Sequence, residues 1–100
     1  MNILDEHKID ISKLCSKHNV RQLFAFGSVL TNNFGKESDV DLLVNFNEID
    51  VAHYADNYYD FKFSLQQLFQ RSIDLLEDKA IKNPFFRKNL NQQRQLIYGH

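Results

Sequence analysis

The chain has 100 residues and a mass of 11.8 kDa, enough for one folded core and too little for two. Hydrophobic residues make up 43% and charged residues 25%, the balance of a globular protein rather than a disordered one. The formal charge of -1 and pI near 6.4 exclude the basic excess that a bulk nucleic-acid binder uses to displace counterions.

In chain order, Ile9, Ile11, Leu14 and Cys15 recur at helical spacing, with lysines between them, and predict an amphipathic helix over 5–18. Asn19 then stands where a helix stop is expected. RQLFAF, residues 21–26, reads as a short strand that stops at Gly27. Residues 28–34 allow one or two helical turns, with Asn32, Asn33, Gly35 and Lys36 in a loop. DVDLLVNF, residues 39–46, alternates: Val40, Leu42, Val44 and Phe46 fall on one face, and Asp39, Asp41, Leu43 and Asn45 on the other. Tyr54, Tyr58, Phe61, Leu65 and Leu68 follow in steps of 4, 3, 4 and 3 and predict a long helix over 51–70. SIDLL, residues 72–76, reads as a third strand, with Asp74 opposite Ile73 and Leu75. Pro84 suits the first residue of a short helix reaching about Asn91. The tail RQLIYG fits either a last strand or the end of that helix.

Strands mixed with helices indicate an α+β or α/β fold, a small mixed sheet covered by helices mainly on one face. One domain over residues 1–100 is expected. The lone Cys15 cannot form an internal disulfide, so stability is expected from the core, in a reducing, cytoplasmic compartment. No apolar run approaches the roughly 20 residues of a membrane span. The early acids of MNILDEHKID argue against a signal peptide, and no membrane contact is expected.

The chemistry concentrates in the acids. Asp39 and Asp41 project from the same face of one strand, with Cα atoms about 6.6–7 Å apart. Carboxylates so placed can converge on hard cations such as Mg²⁺, which prefers a few carboxylates completed by phosphate oxygens and water. Asp74 repeats the pattern on another strand. Taken singly, each acid reads most simply as the solvent-facing side of a half-buried strand. Asp is depleted in strands, however, and here it stands opposite good core residues three times. Gly27-Ser28 adds a second ingredient. Glycine lets a backbone approach a ligand closely, and N–H groups at a helix start, with a serine hydroxyl, can hold a phosphate.

Gly27-Ser28, ten residues, then Asp39-Val40-Asp41 resembles the signature of the DNA polymerase β-like nucleotidyltransferase superfamily. FGSVL, SDVDLLV, SIDLLEDKAIKNPFFRK and QLIYG are similar to its minimal nucleotidyltransferases, the MNT proteins, from about Asn19 to the C-terminus. The resemblance implies that Asp39, Asp41 and Asp74 are catalytic and ligate two Mg²⁺ ions, with Asp74 also helping to deprotonate the acceptor hydroxyl. It implies that Gly27 and Ser28 hold the phosphates of ATP, the co-substrate. Nucleotidyl transfer needs in-line attack on the α-phosphorus, with charge stabilised on the entering and leaving oxygens. MNT proteins are commonly antitoxins paired with a HEPN-domain ribonuclease toxin. The implied reaction is transfer of AMP to a hydroxyl, typically of a tyrosine, on that toxin within a hetero-oligomer, with no direct contact to nucleic acid. Two other readings follow from the same residues: an antitoxin of weak catalysis that neutralises by binding alone, and a small-molecule nucleotidyltransferase.

The run from Val29 to Gly35 departs from the group's pattern, in which many members carry an arginine soon after the Gly-Ser. Lys36 is the first cation here, and it, a basic residue elsewhere or one from the partner is expected to take that contact. Seven acids and no Lys or Arg lie between Glu37 and Phe61, and five basic residues and no acid between Lys79 and Arg94. This predicts one acidic and one basic surface. Lys79, Lys82, Arg87 and Lys88 are candidates to meet a triphosphate or an acidic partner, or form a solvated helix face. Tyr54, Tyr58, Tyr59, Phe61 and Phe63 exceed one core stripe, so the extra aromatics of the long helix line either an interface or a large core. His7, His18, His53 and His100 lack ligand spacing and are expected at the surface, and Cys15 in the core.

Overall fold

The computed structural model describes residues 3–31 and 34–99. Its helices are α1 (Ile3–Glu6), α2 (Lys8–Lys17), α3 (Val51–Phe69) and α4 (Pro84–Gln93), and its strands β1 (Val20–Phe26), β2 (Val40–Phe46), β3 (Ile73–Glu77) and β4 (Gln95–Tyr98). Short 3₁₀ turns, Gly27–Leu30 and Asp78–Ala80, follow β1 and β3. The helix expected over 5–18 is thus broken at His7, and the turn expected over 28–34 closes at Leu30. The loop assignment of Asn32 and Asn33 and the surface position of His100 lie outside the described residues.

The sheet has four strands in the order β3-β2-β1-β4: the tail, left open by the sequence between strand and helix, is a strand and pairs antiparallel with β1. Arg94 leaves α4 with extended backbone angles, so RQLIYG cannot continue that helix. β1 and β2 are antiparallel, and β2 and β3, joined through α3, are parallel. A mixed sheet with α1, α2 and α3 on its larger core is the α+β architecture expected.

The alternation of β2 explains the layering. Val40, Leu42 and Val44 are buried against Ile11, Cys15, Phe61 and Leu65 from α2 and α3. Leu43 points the other way and is also buried, in a small second core with Phe24 of β1 and Leu90 of α4. Shifting β2 by one residue would drive Asp41 into the larger core, so the register is fixed by burial. In α3 the buried stripe is Phe61, Leu65 and Phe69, and Leu68, expected in it, is only partly covered. The helix ends where Gln70 adopts left-handed angles (φ 56°, ψ 40°) and its N–H donates to Gln66 O at 2.9 Å. Asn83 caps α4, its Oδ1 accepting from the N–H groups of Phe85 and Phe86 at 2.9 and 3.1 Å, and Pro84 follows as the first helical residue.

Cys15 is fully buried, which pushes its thiol up to about 12. His18 corrects the surface expectation. It is only 6% exposed, its ring 5.5 Å from that of Phe61 and its Nδ1 2.8 Å from Leu14 O. No helix among the described residues is long and apolar enough to cross a membrane.

Opposite the larger core, α4 is tied down by charge as well as by Leu90. Asp78 pairs with Arg87, while the Arg94 guanidinium stands 3.9 Å from Asp78 and 4.2 Å above the Phe24 ring. Burial pushes the Asp78 carboxyl up, but hydrogen bonds from Arg87 and Asn45 and the charges of Arg87 and Arg94 outweigh it and hold the group below its ordinary value. A lowered native value makes this stabilisation fully present above the unfolded value near pH 4 and lost as pH falls through the native one. Urea melts of the wild type and of Asp78→Asn are therefore expected to differ at pH 7, with the variant less stable by about 1 kcal/mol, and to converge as the pH falls through the native value of this carboxyl.

Candidate active site

β1 ends, and β2 and β3 begin, at one end of the sheet. Phe26 of β1 is in register with Asp41 of β2, and Asp41 is in register with Asp74 of β3. In-register neighbours on adjacent strands lie about 4.8 Å apart and project to the same side. Asp41 and Asp74, 33 residues apart in the chain, are thus side by side on the face opposite the larger core. Asp39 stands one residue before β2, exposed, on the same approach.

The charges are felt. The Asp41 carboxyl is raised above the ordinary carboxylate value, by burial first and then by the negative charges of Asp74 and of Asp39. Gly27 closes the other side. Its φ is +74°, a conformation that costs a side-chain-bearing residue about 1–2 kcal/mol, and a Cβ there would stand 2.5 Å from Asp41 Oδ2. Only glycine lets the end of β1 lie directly against this carboxylate. Ser28 follows in the 3₁₀ turn, which Val29 anchors in the core and Thr31 closes, its N–H and Oγ1 both donating to Ser28 O at 2.9 Å. All five residues singled out in the sequence, Gly27, Ser28, Asp39, Asp41 and Asp74, therefore meet at one end of the sheet.

Among the described residues, no three His, Cys, Asp or Glu side chains are arranged to hold a metal ion by themselves. The donor set nevertheless fits a hard divalent cation. It offers carboxylate oxygens alone, concentrated until they repel, and Mg²⁺ takes one or two protein carboxylates and completes its shell with phosphate oxygens and water rather than in an all-protein cage.

Arg87 is committed to Asp78, and Lys79 lies 4.5 Å above the Tyr54 ring. Lys82, Lys88 and Lys36 are exposed. Tyr59 and Phe63 are 64% and 59% exposed, so those two aromatics of α3 are surface and not core. Sequence reasoning missed Arg71, whose Nη1 donates to backbone carbonyls just before Asp39; its only local signal is a position three residues before Asp74. A separate cleft of about 250 Å³, lined by Arg21, Asn45, Glu48, Tyr54, Glu77 and Lys79, lies toward the opposite ends of β2 and β3.

The profile of the nucleotidyltransferase domain family matches residues 9–97. A Methanocaldococcus jannaschii protein named as a protein adenylyltransferase, MJ1379, is 30% identical over 96 residues, 96% of this chain and 90% of that protein. A solved minimal nucleotidyltransferase superposes with a TM-score of 0.77 at 24% identity, over 95% of each chain. A chain in the complex of a tri-AMPylated Shewanella oneidensis HEPN toxin with an MNT antitoxin superposes with a TM-score of 0.67 at 16% identity, over 98% of this chain and 74% of that one.

The crowding of Asp41 has a measurable consequence. A raised native value means that this group stabilises the fold only below its unfolded value near pH 4 and costs stability as pH rises through its native one. Thermal melts in EDTA at pH 7 are expected to show Asp41→Asn more stable than the wild type, with the difference gone at pH 3. Gly27→Ala is expected to be destabilised by about 1–2 kcal/mol.

Proposed function

Because the chain belongs to the nucleotidyltransferase domain family, we propose that it is an antitoxin that transfers AMP from Mg-ATP to a hydroxyl, that of a tyrosine, on a HEPN-domain toxin. The observation that carries the reading is the register of Asp41 with Asp74, beside Asp39 and against Gly27. The protein acceptor is supported by the name of the M. jannaschii relative, and the HEPN partner by the fold shared with a chain of the toxin–antitoxin complex.

In this reading Asp39, Asp41 and Asp74 hold the divalent cations, two of them, and Gly27 and Ser28 receive the triphosphate. When bound, the cations supply charge neutralisation at the α-phosphorus and at the departing oxygen. Gly27, lacking a side chain, leaves room for phosphate beside Asp41, and the Ser28 hydroxyl donates to a phosphate oxygen. The acceptor oxygen bonds to the α-phosphorus as the bond from that phosphorus to the β-phosphate oxygen breaks. Pyrophosphate leaves, and the hydroxyl proton passes to the Asp74 carboxylate. Asp74 is exposed, on the outermost strand next to Asp41, where a side chain of a docked protein can reach it. A basic group for the triphosphate is supplied by Lys36 or by the partner. Modification adds charge and bulk to the toxin and blunts its cleavage of RNA.

Intact-mass spectrometry tests this directly. A HEPN-domain protein from the same genome, incubated with this chain, Mg²⁺ and each nucleoside triphosphate, is expected to gain whole AMP units from ATP. Asp39→Asn with Asp41→Asn is expected to abolish that gain. A stable complex without mass gain, neutralisation surviving in the double variant, would instead support inhibition by binding alone.

A further inference from the structure

Asp41 and Asp74 are held by the β2–β3 ladder, but the ladder begins at Val40, and Asp39 lies before it. What fixes Asp39 is a clamp from the segment that leads into β3. Arg71 Nη1 donates to Gly35 O and to Ser38 O, both at 2.9 Å. Its guanidinium lies 4.4 Å from the centroid of the Phe34 ring. Within the turn so gripped, Gly35 N–H donates to Ser38 Oγ at 3.0 Å and Ser38 N–H to Gly35 O at 3.2 Å. On the other side of Asp39, Val40 N–H donates to Ser72 O at 3.1 Å.

The carbonyl before Asp39 and the amide after it are therefore both held by the consecutive residues Arg71 and Ser72. Those residues lie three and two positions before Asp74. We infer that Arg71 is a positioning residue that sets Asp39 beside Asp41 and Asp74, so that the three carboxylates face one cation site as a unit. The inference rests on the reading of these acids as cation ligands. The chemistry suits arginine. Its planar fork donates to carbonyl oxygens while its face stacks on a ring, whereas a lysine ammonium is a point charge and reproduces the grip only in part. A guanidinium spent on backbone carbonyls is also distinct from one that binds triphosphate, and the two roles separate experimentally.

The test uses Mn²⁺ as the probe, without nucleotide, on the full chain. Titrations followed by electron paramagnetic resonance are run on the wild type, Arg71→Gln, Arg71→Lys, Asp39→Asn and the Arg71→Gln/Asp39→Asn pair. Amide hydrogen exchange is read in parallel. Arg71→Gln is expected to weaken Mn²⁺ binding about tenfold, as loss of an outer partner of a metal ligand does, and Arg71→Lys to restore part of it. Exchange is expected to accelerate at Ser38 and Val40 while the amides of β1 and of α3 keep their protection. The double variant is expected to bind no more weakly than Asp39→Asn, because both changes remove the same contribution. Unchanged Mn²⁺ affinity in Arg71→Gln, with only the KM for ATP raised, overturns the inference in favour of a direct phosphate contact. Additive losses in the double variant also overturn it. A wild-type chain that binds no Mn²⁺ overturns the metal-site reading itself, and with it the purpose assigned to the clamp.

Discussion

Two carboxylates held in register on adjacent parallel strands are the constraint on which this structure turns. Asp41 and Asp74 face the same side of the sheet, Asp39 adds a third negative charge, and the Asp41 carboxyl is raised by burial first and then by those two charges. Nothing in the packing of a small α+β domain requires this. Left alone it costs stability, and it becomes favourable only when positive charge arrives. The stability of the fold and the cation site proposed for these acids are therefore opposed at this point.

What holds the arrangement is the core on the other face. Val40, Leu42, Val44, Ile73 and Leu75 are all buried under the helices, and each is one residue away from a side chain that must stay out. Burial of these residues sets the register, and the register then presents the acids. The same strand carries Leu43 into the second core with Leu90, so β2 is pinned from both faces just inside the site. α4 is held there by Leu90 and by the Asp78, Arg87 and Arg94 cluster. Arg87 and Arg94 thus serve the fold, while Lys82 and Lys88 of the same region stay exposed.

Much of this was readable in the chain. The alternation of DVDLLVNF gave the strand and its two faces, because a half-buried strand leaves a period of two. The Gly-Ser turn was equally visible, because an apolar strand stopping at glycine has few alternatives. The meeting of Asp41 with Asp74 was not visible from spacing, since it depends on a parallel pairing that local pattern does not encode; family resemblance supplied it. β4 escaped because four residues of mixed polarity, exposed at the sheet edge, carry too short a pattern to separate strand from helix. His18 was misplaced because its burial comes from stacking on Phe61, 43 positions away, and Arg71 because its partners, Gly35 and Ser38, lie 36 and 33 residues away. Gly27 looked like a turn residue, and its second task, leaving space for the Asp41 carboxylate, emerges only when the strand end is placed against β2.

The account stands or falls on where a nucleotide binds. A crystal structure of the chain with Mg²⁺ and a non-hydrolysable ATP analogue tests it most directly. The account predicts metal density between the carboxylates of Asp39, Asp41 and Asp74, and the triphosphate lying against Gly27 and Ser28. A nucleotide seated instead in the cleft between Arg21 and Lys79, with no metal at the three acids, would contradict it.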